Sequence, residues 1–172
     1  MALTLSEVVL PVFSKGLNTL AHILTVAEEH AKSNNLDPDT EYPNARLIDD
    51  MLPLSFQVQN ATSTVRRTLA RLEGKEDQPW EDNEKTIADL RARVAKAQEL
   101  LASADRGLVD KRAEEVVELP LGKQSVQLTA KASALNQGVP NFFFHLQTAY
   151  TILRAKGVPI GKKDYIGSFL AQ

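Results

Sequence analysis

The chain contains three histidines, the side chains best suited to proton transfer near neutral pH, and their spacing keeps them apart. His22 and His30 are eight residues apart in one predicted helix, about 12 Å along its axis, which is too far for both to bind one metal ion. His145 follows Phe142 by three residues and precedes Ala149 by four, so it lies on their apolar stripe. We expect His145 to point inward, either as a hydrogen-bonded core residue or as a pocket ligand or general base.

Polar side chains in the second and last predicted helices are the candidate partners of this imidazole. Asp50 and Gln57 are seven residues apart, which is two helical turns and places them on one face. Asp50 is able to pair with His145, although adjacent acids near a helix start also serve as caps or dipole partners. Asn141 either caps the last helix or donates into a cleft. The candidate residues are thus His145 and Asp50 for catalysis, and Gln57, Asn141, Tyr150 and Trp80 for ligand binding.

Composition argues against several other kinds of chemistry. The chain has no cysteine, which excludes disulfides, thiolate nucleophiles and cysteine-bound zinc. Phosphate-binding loops, dinucleotide fingerprints and zinc-protease motifs are also missing from the sequence, so no cofactor and no metal are expected. A net charge of −2 and a pI near 5.9 do not favour nucleic acid as a partner. We interpret Arg66, Arg67 and Arg71 as a solvated helix face.

The N-terminal segment and the lengths of the apolar runs predict where in the cell the protein is found. Residues 1–13 lack a basic region and contain Glu7, so they are interpreted as a helix start and not as a signal peptide. No uninterrupted apolar run approaches the roughly 20 residues of a membrane span. We therefore expect a cytoplasmic protein without a membrane partner.

Four stretches with helical periodicity organise the chain, at about residues 5–32, 47–72, 84–104 and 140–156. Thr4 and Glu7 match a capping box at the first helix, and Pro53 inside the second predicts a kink or a later start. Pro140 and Gly157 mark the two ends of the last helix. Apolar residues alternate with polar ones over residues 114–129, a pattern typical of a small β-hairpin.

These elements predict a single domain over residues 1–172. Each helix has one apolar stripe, and packing the stripes together removes apolar surface from water at about 25 cal/mol per Å². The fold class expected is all-α, an antiparallel four-helix bundle with a small β-hairpin before the last helix. The tail, residues 158–172, is expected to pack across the bundle.

Several segments of the chain resemble a family of uncharacterised bacterial and fungal proteins in the DinB/YfiT-like superfamily. They are ARLIDDMLPL at 45–54 with QVQ at 57–59, LPLG at 119–122, PNFFFH at 140–145, TAY at 148–150, LR at 153–154 and GVPIGK at 157–162. The resemblance covers nearly the whole chain. It implies an antiparallel four-helix bundle, often dimeric, and in many members a divalent metal held by three histidines.

The metal pattern of that superfamily is only partly present here. Its last helix carries His-x-x-x-His and its second helix supplies the third histidine. In this chain His145 is followed four residues later by Ala149, and residues 47–72 contain no histidine. Only His145 is carried over, unless Asp50 or Gln57 substitutes as a ligand.

Three hypotheses about function follow from the residues and the resemblance. The first is a small-molecule binder, in its catalytic form a metal-free enzyme of isomerase or cyclase type, with an inter-helix pocket around His145. The second is a divalent-metal-dependent hydrolase or transferase with a remodelled site. The third is a non-catalytic dimeric bundle. A homodimer with a small-molecule ligand is expected, and the sequence leaves open whether the protein is an enzyme.

Overall fold

The computed structural model describes residues 2–171 and is mostly helical, with one two-stranded antiparallel sheet. The long helices are α1 (Leu5–Ser33), α3 (Leu54–Glu73), α4 (Ile87–Ala102) and α7 (Val139–Ala155). The shorter helices are α2 (Pro38–Glu41), α5 (Arg106–Lys111), α6 (Ala130–Ser133) and α8 (Lys162–Leu170), with a π-helical turn at Ala134–Gly138. The strands are β1 (Val116–Leu121) and β2 (Gln124–Thr129).

The four long helices enclose the core. Helices α1 and α3 each pack against both α4 and α7, so α1 and α3 lie diagonally opposite each other. Apolar residues from all four meet in one buried cluster that includes Leu17, Val58, Leu90 and Phe142. The predicted count of four helices is not confirmed for the chain as a whole, because the short helices accompany the long ones.

Helix α1 begins as the sequence predicts. Thr4 accepts a hydrogen bond from the Glu7 amide, and the Glu7 side chain accepts one from the Thr4 amide, which completes a capping box. Pro11 lies within the helix without ending it. By length and composition alone, α1 is apolar enough to cross a membrane, although the sequence has no uninterrupted apolar run of that length. Its apolar stripe is buried against α4, α7 and α8.

The later start that Pro53 predicts for the second helix is confirmed, and the predicted start of the third helix was wrong. Helix α3 begins at Leu54 and not near residue 47, because Pro53 takes the N-cap position with extended backbone. Residues 47–52 form turns, held where the Leu54 amide donates to the Ala45 carbonyl. Helix α4 begins at Ile87 and not near residue 84, because Thr86 and Asp89 form the capping box there.

The β-hairpin before the last helices is confirmed. β1 and β2 pair in register from Val116 opposite Thr129 to Leu121 opposite Gln124. Gly122 adopts a positive φ of 63° in the turn between them, a conformation that glycine adopts without steric cost. The hairpin buries Leu119, so it contacts the helical body and does not project freely. In the tail, α8 packs along α1.

Candidate functional site

The candidate site lies between α3 and α7, whose facing surfaces both carry polar side chains. On α3 these are at positions 57, 60, 64, 67 and 71, a spacing of three and four that keeps them on one face. On α7, Asn141 and His145 are one turn apart. Helix packing therefore brings two polar stripes together that are about 80 residues apart in the chain.

His145 is held in one tautomer by a chain of hydrogen bonds. Its side chain is only 8% exposed, and its Nδ1 lies 2.8 Å from Gln57 Oε1. Gln57 Nε2 donates to the Leu52 carbonyl at 2.9 Å, and a carbonyl only accepts, so the orientation of the amide is fixed. Gln57 Oε1 must then accept from His145 Nδ1–H. The neutral ring consequently has its acceptor lone pair on Nε2.

The imidazole is neutral at physiological pH. Burial, and then the positive charge of Arg67, lower the pKa of His145 to about 4. Phe56 and Phe144 lie nearly perpendicular to the imidazole, with ring centroids 6.0 and 5.2 Å away. An uncharged ring among aromatic neighbours, with one nitrogen anchored, is arranged to accept a proton or a hydrogen bond at the other nitrogen.

A cleft of about 210 Å³ opens beside this histidine, between α3, α7 and the hairpin. We call it the arginine cleft; its lining residues are Asn60, Thr64, Arg67, Arg71, Leu119, Pro120, Gln137 and Asn141. Asn141 Nδ2 donates to Thr64 Oγ1 at 2.7 Å and so joins the two helices across the cleft. His145 lies one turn further along α7 than Asn141 and does not itself line the cavity.

Arg67 and Arg71 are half-buried in the wall of the cleft. Within residues 2–171 neither guanidinium has a hydrogen-bond acceptor or a carboxylate at ion-pair distance. Burial, followed by the charge of Arg66, lowers the pKa of Arg67, and burial followed by Arg67 lowers the pKa of Arg71. Asp77 opposes both shifts from a distance.

The interpretation of Arg66, Arg67 and Arg71 as a solvated face was wrong. Arg66 is buried and pairs with Asp77, while Arg67 and Arg71 are half-buried. The sequence signal that identifies the last two is their continuation of the Gln57 stripe at intervals of three and four residues.

Three of the candidate residues lie elsewhere. Asp50 is exposed in the turn before α3, and the hydrogen-bond partner of His145 is Gln57. Tyr150 packs edge-on against Tyr165 of α8, with ring centroids 5.5 Å apart. Trp80 lies in the segment between α3 and α4, where Lys96, Arg93 and Arg66 approach its ring.

The three-histidine metal site that the resemblance implies does not fit the side chains present. Ala149 stands where a second imidazole of α7 would be, and α3 offers Gln57, whose oxygen is already engaged by His145. In the described part of the chain, no group of three His, Asp or Glu side chains is placed to hold an ion. One imidazole nitrogen is too few ligands for a stable divalent site, so we derive no metal-dependent step.

Comparisons with known proteins agree with the fold. A crystal structure of a DinB family member protein from Shewanella denitrificans at 1.83 Å resolution is 35% identical in sequence, with a TM-score of 0.83. The match covers 93% of this chain and 90% of that one. No curated protein matches the sequence. The family model described as domain of unknown function DUF1993 matches residues 5–166. The chain therefore belongs to the DUF1993 family and has a DinB-like fold.

Proposed function

We propose that the protein binds a small molecule between α3 and α7 and that His145 accepts a proton from it, without a metal. The observation that supports this most directly is the chain from His145 through Gln57 to the Leu52 carbonyl. It fixes a neutral ring with Nδ1 protonated and Nε2 without a partner in the part of the chain that the structure describes. Isomerisation or cyclisation through proton transfer is the reaction class that such a group suits.

The surroundings of His145 support binding as well as proton transfer. Phe56 and Phe144 offer apolar contact to the ring, and Asn141 supplies an amide in the lining of the arginine cleft. A ligand that excludes water there would strengthen each polar contact, because the local dielectric constant falls. A ligand anion near Arg67 would also raise the pKa of His145 toward the value of a useful base.

A fragment library observed by amide NMR tests the binding half of the proposal. We expect fragments that shift the resonances of Gln57, Asn141 and His145 and that bind at least about tenfold more weakly to His145→Ala, a loss of roughly 1.4 kcal/mol. His30→Ala, at the far end of α1, is the matched control and should retain them. Hits that bind His145→Ala equally well, or a library without hits between α3 and α7, would overturn the proposal.

His145→Asn tests the proton-transfer half. Asparagine retains an N–H that can donate to Gln57 but has no basic nitrogen. With a bound fragment that has an acidic C–H, the wild type should catalyse hydrogen exchange with D₂O. The variant should bind the same fragment within about threefold and lose the exchange. Equal exchange rates in the two proteins would contradict the role of His145 as a base.

Self-association is a second proposal, supported by exposed apolar side chains near the same face. Ile48, Leu52 and Phe144 are all exposed, and the last two adjoin the His145 chain of hydrogen bonds. Large apolar side chains exposed near one another are typical of interfaces. Sedimentation should show a homodimer that Phe144→Ser weakens and that Val116→Ser, a similarly exposed apolar position on the hairpin, leaves intact. A monomer at all concentrations would refute it.

We propose further that the chain is one domain and acts in the cytoplasm.

A further inference from the structure

The arginine cleft has a charge that nothing in its own wall balances. Arg67 and Arg71 are four residues apart on α3, so their side chains leave the same face about 6 Å apart along the axis. Like charges at this spacing repel each other and destabilise a helix. Burying both against the hairpin adds a desolvation cost. Helix stability therefore does not explain why these two arginines lie side by side in the cleft.

Other arginines with buried or half-buried side chains each have an acceptor. Arg66 pairs with Asp77, Arg93 with Glu84 and Asp82, and Arg112 with Glu115. The protein thus supplies anions to its inward-facing guanidiniums elsewhere. At Arg67 and Arg71 the described residues supply none.

The rest of the lining has the character of an oxyanion site. Asn60, Gln137, Thr64 and Asn141 contribute amides and hydroxyls, and no Asp or Glu is among the described lining residues. Leu119 and Pro120 form an apolar wall, which strengthens the field of the two arginines by excluding water. The volume of about 210 Å³ equals about seven water molecules at ~30 Å³ each. It suits a small ligand and is below the roughly 300–1,000 Å³ of drug-sized sites.

We propose that Arg67 and Arg71 bind the oxyanion, a carboxylate or a phosphate, of a small ligand whose other end lies beside His145. Guanidinium groups bind planar or tetrahedral oxyanions with paired, charge-assisted hydrogen bonds. Asn141 stands between the arginines and His145 and can orient the body of the ligand. This proposal rests on the proposed function, since it assigns a chemical class to the ligand of the same site.

The test compares matched anionic and neutral probes by calorimetry at constant ionic strength. Benzoate and phenyl phosphate carry the two oxyanions, and benzamide is the neutral analogue of benzoate. We expect both anions to bind and benzamide to bind at least about tenfold more weakly. Arg67→Met and Arg71→Met should each weaken the anions by about tenfold or more. Arg106→Met, an exposed arginine on α5, is the control and should change neither.

A second readout is independent of how tightly the probes bind. The pKa of His145, followed by NMR, should rise when benzoate or phenyl phosphate occupies the cleft, because an anion offsets the charge of Arg67. Arg67 is the charged side chain that lowers this pKa; the hairpin residues lining the cleft, Leu119 and Pro120, are uncharged. The rise should vanish in Arg67→Met.

The outcomes separate this proposal from the one on which it rests. Benzamide that binds as tightly as benzoate, with dependence on His145, would overturn the oxyanion assignment and leave a small-molecule site standing. Anions that bind equally well to Arg67→Met and Arg71→Met would also overturn it. Should Arg67→Met fold poorly, Arg71→Met gives the same comparison, since it also removes one cation from the cleft. If no probe or fragment shifts the resonances of this region, both proposals fail.

Discussion

Helix α3 has two polar faces, and two consecutive arginines, Arg66 and Arg67, lie on different ones. The two faces differ in whether the chain supplies an anion to the arginine. A helix turns by about 100° per residue, so Arg66 and Arg67 diverge toward different neighbours. Arg66 faces α4 and the 74–86 segment, where Asp77 pairs with it. Arg67 faces α7, where the described residues offer no anion. We call the α4 side the completed face, because the chain itself supplies an anion to the arginine there. We call the α7 side the incomplete face, which the proposed anionic ligand would complete.

The α4 side shows what a completed face requires. Arg93 is 4% exposed and donates to Glu84 Oε1 at 2.7 Å, to Asp82 Oδ1 at 2.8 Å and to Thr62 Oγ1 at 2.9 Å. Ser63 and the Glu81 carbonyl accept as well. The same guanidinium lies over Trp80, so this tryptophan is explained by the packing around Arg93. Burial is tolerated because every donor direction meets an acceptor.

Breaking the completed face should have the largest effect. Arg93→Met leaves Glu84 and its neighbours without their buried cation, and we expect a loss of about 3–5 kcal/mol in the free energy of unfolding. Urea titration followed by circular dichroism measures it. Arg91→Met, which removes an exposed pair with Glu28, is the control and should cost less than about 1 kcal/mol. Equal losses in the two variants would show that the buried ion pairs of Arg93 contribute no more to stability than the exposed pair of Arg91.

The next effect is the pH dependence that His145 confers. Its pKa is about 4 in the folded protein and near 6.5 in the unfolded chain, so the unfolded state takes up a proton first as the pH falls. Its contribution to stability is therefore fully present above about pH 6.5 and is lost as the pH falls toward 4. The upper limit is about 3 kcal/mol.

Subtracting the profile of His145→Asn isolates this contribution. The variant keeps an N–H toward Gln57 and has no imidazole to titrate, while the carboxylates of the chain titrate in both proteins. The free energy of unfolding of the wild type should fall more steeply between pH 6.5 and 4. Parallel profiles in the two proteins would show that His145 is not held neutral.

Much of the fold follows from local sequence signals. The capping box at Thr4 and the small β-hairpin within residues 114–129 depend only on residues near them in the chain, and both are confirmed. The sequence left a kink at Pro53 and a later start of α3 both open, because the apolar periodicity continues through residues 47–52. The backbone there is fixed by the long-range bond from Leu54 to the Ala45 carbonyl, which periodicity does not reveal.

The site was harder to predict because it depends on how two helices align. His145 and Gln57 were both candidates, but their contact joins residues 88 apart in the chain. Asp50 was chosen on the assumption of a helix that starts seven residues too early. Tyr150 is five residues after His145, about 140° around α7, which already places it on another face. Arg67 and Arg71 were set aside because charge alone does not distinguish a solvated face from a cleft.

Breaking the hydrogen-bond chain of the incomplete face should have an intermediate effect. Gln57→Leu leaves the Nδ1–H of the buried His145 without its acceptor, which should cost about 1–3 kcal/mol of unfolding free energy. Gln57→Glu keeps an acceptor and adds a negative charge, so it should raise the pKa of His145. NMR titration of the imidazole distinguishes the two variants. A pKa that is the same in Gln57→Glu and wild type would contradict the contact.

The smallest effect on stability is expected at Arg67, the counterpart of Arg93 on the incomplete face. Arg67→Met removes a half-buried cation that has no acceptor in the described chain and keeps an apolar stem of similar length, so the two contributions nearly cancel. We expect a change within about 0.5 kcal/mol in the free energy of unfolding. The pKa of His145 should nevertheless rise, because Arg67 is the charge that lowers it.

Arg67→Met is most informative when compared with Arg93→Met, because each replaces an inward-facing arginine with methionine. Arg67 lies on α3 and Arg93 on the neighbouring α4. A large loss at Arg93 with almost none at Arg67 would mean that the second guanidinium serves something other than the fold. A loss of several kcal/mol at Arg67 would instead show that α3 and α7 depend on it for packing. In that case the cleft would be structural, and its charge would no longer argue for an anionic ligand.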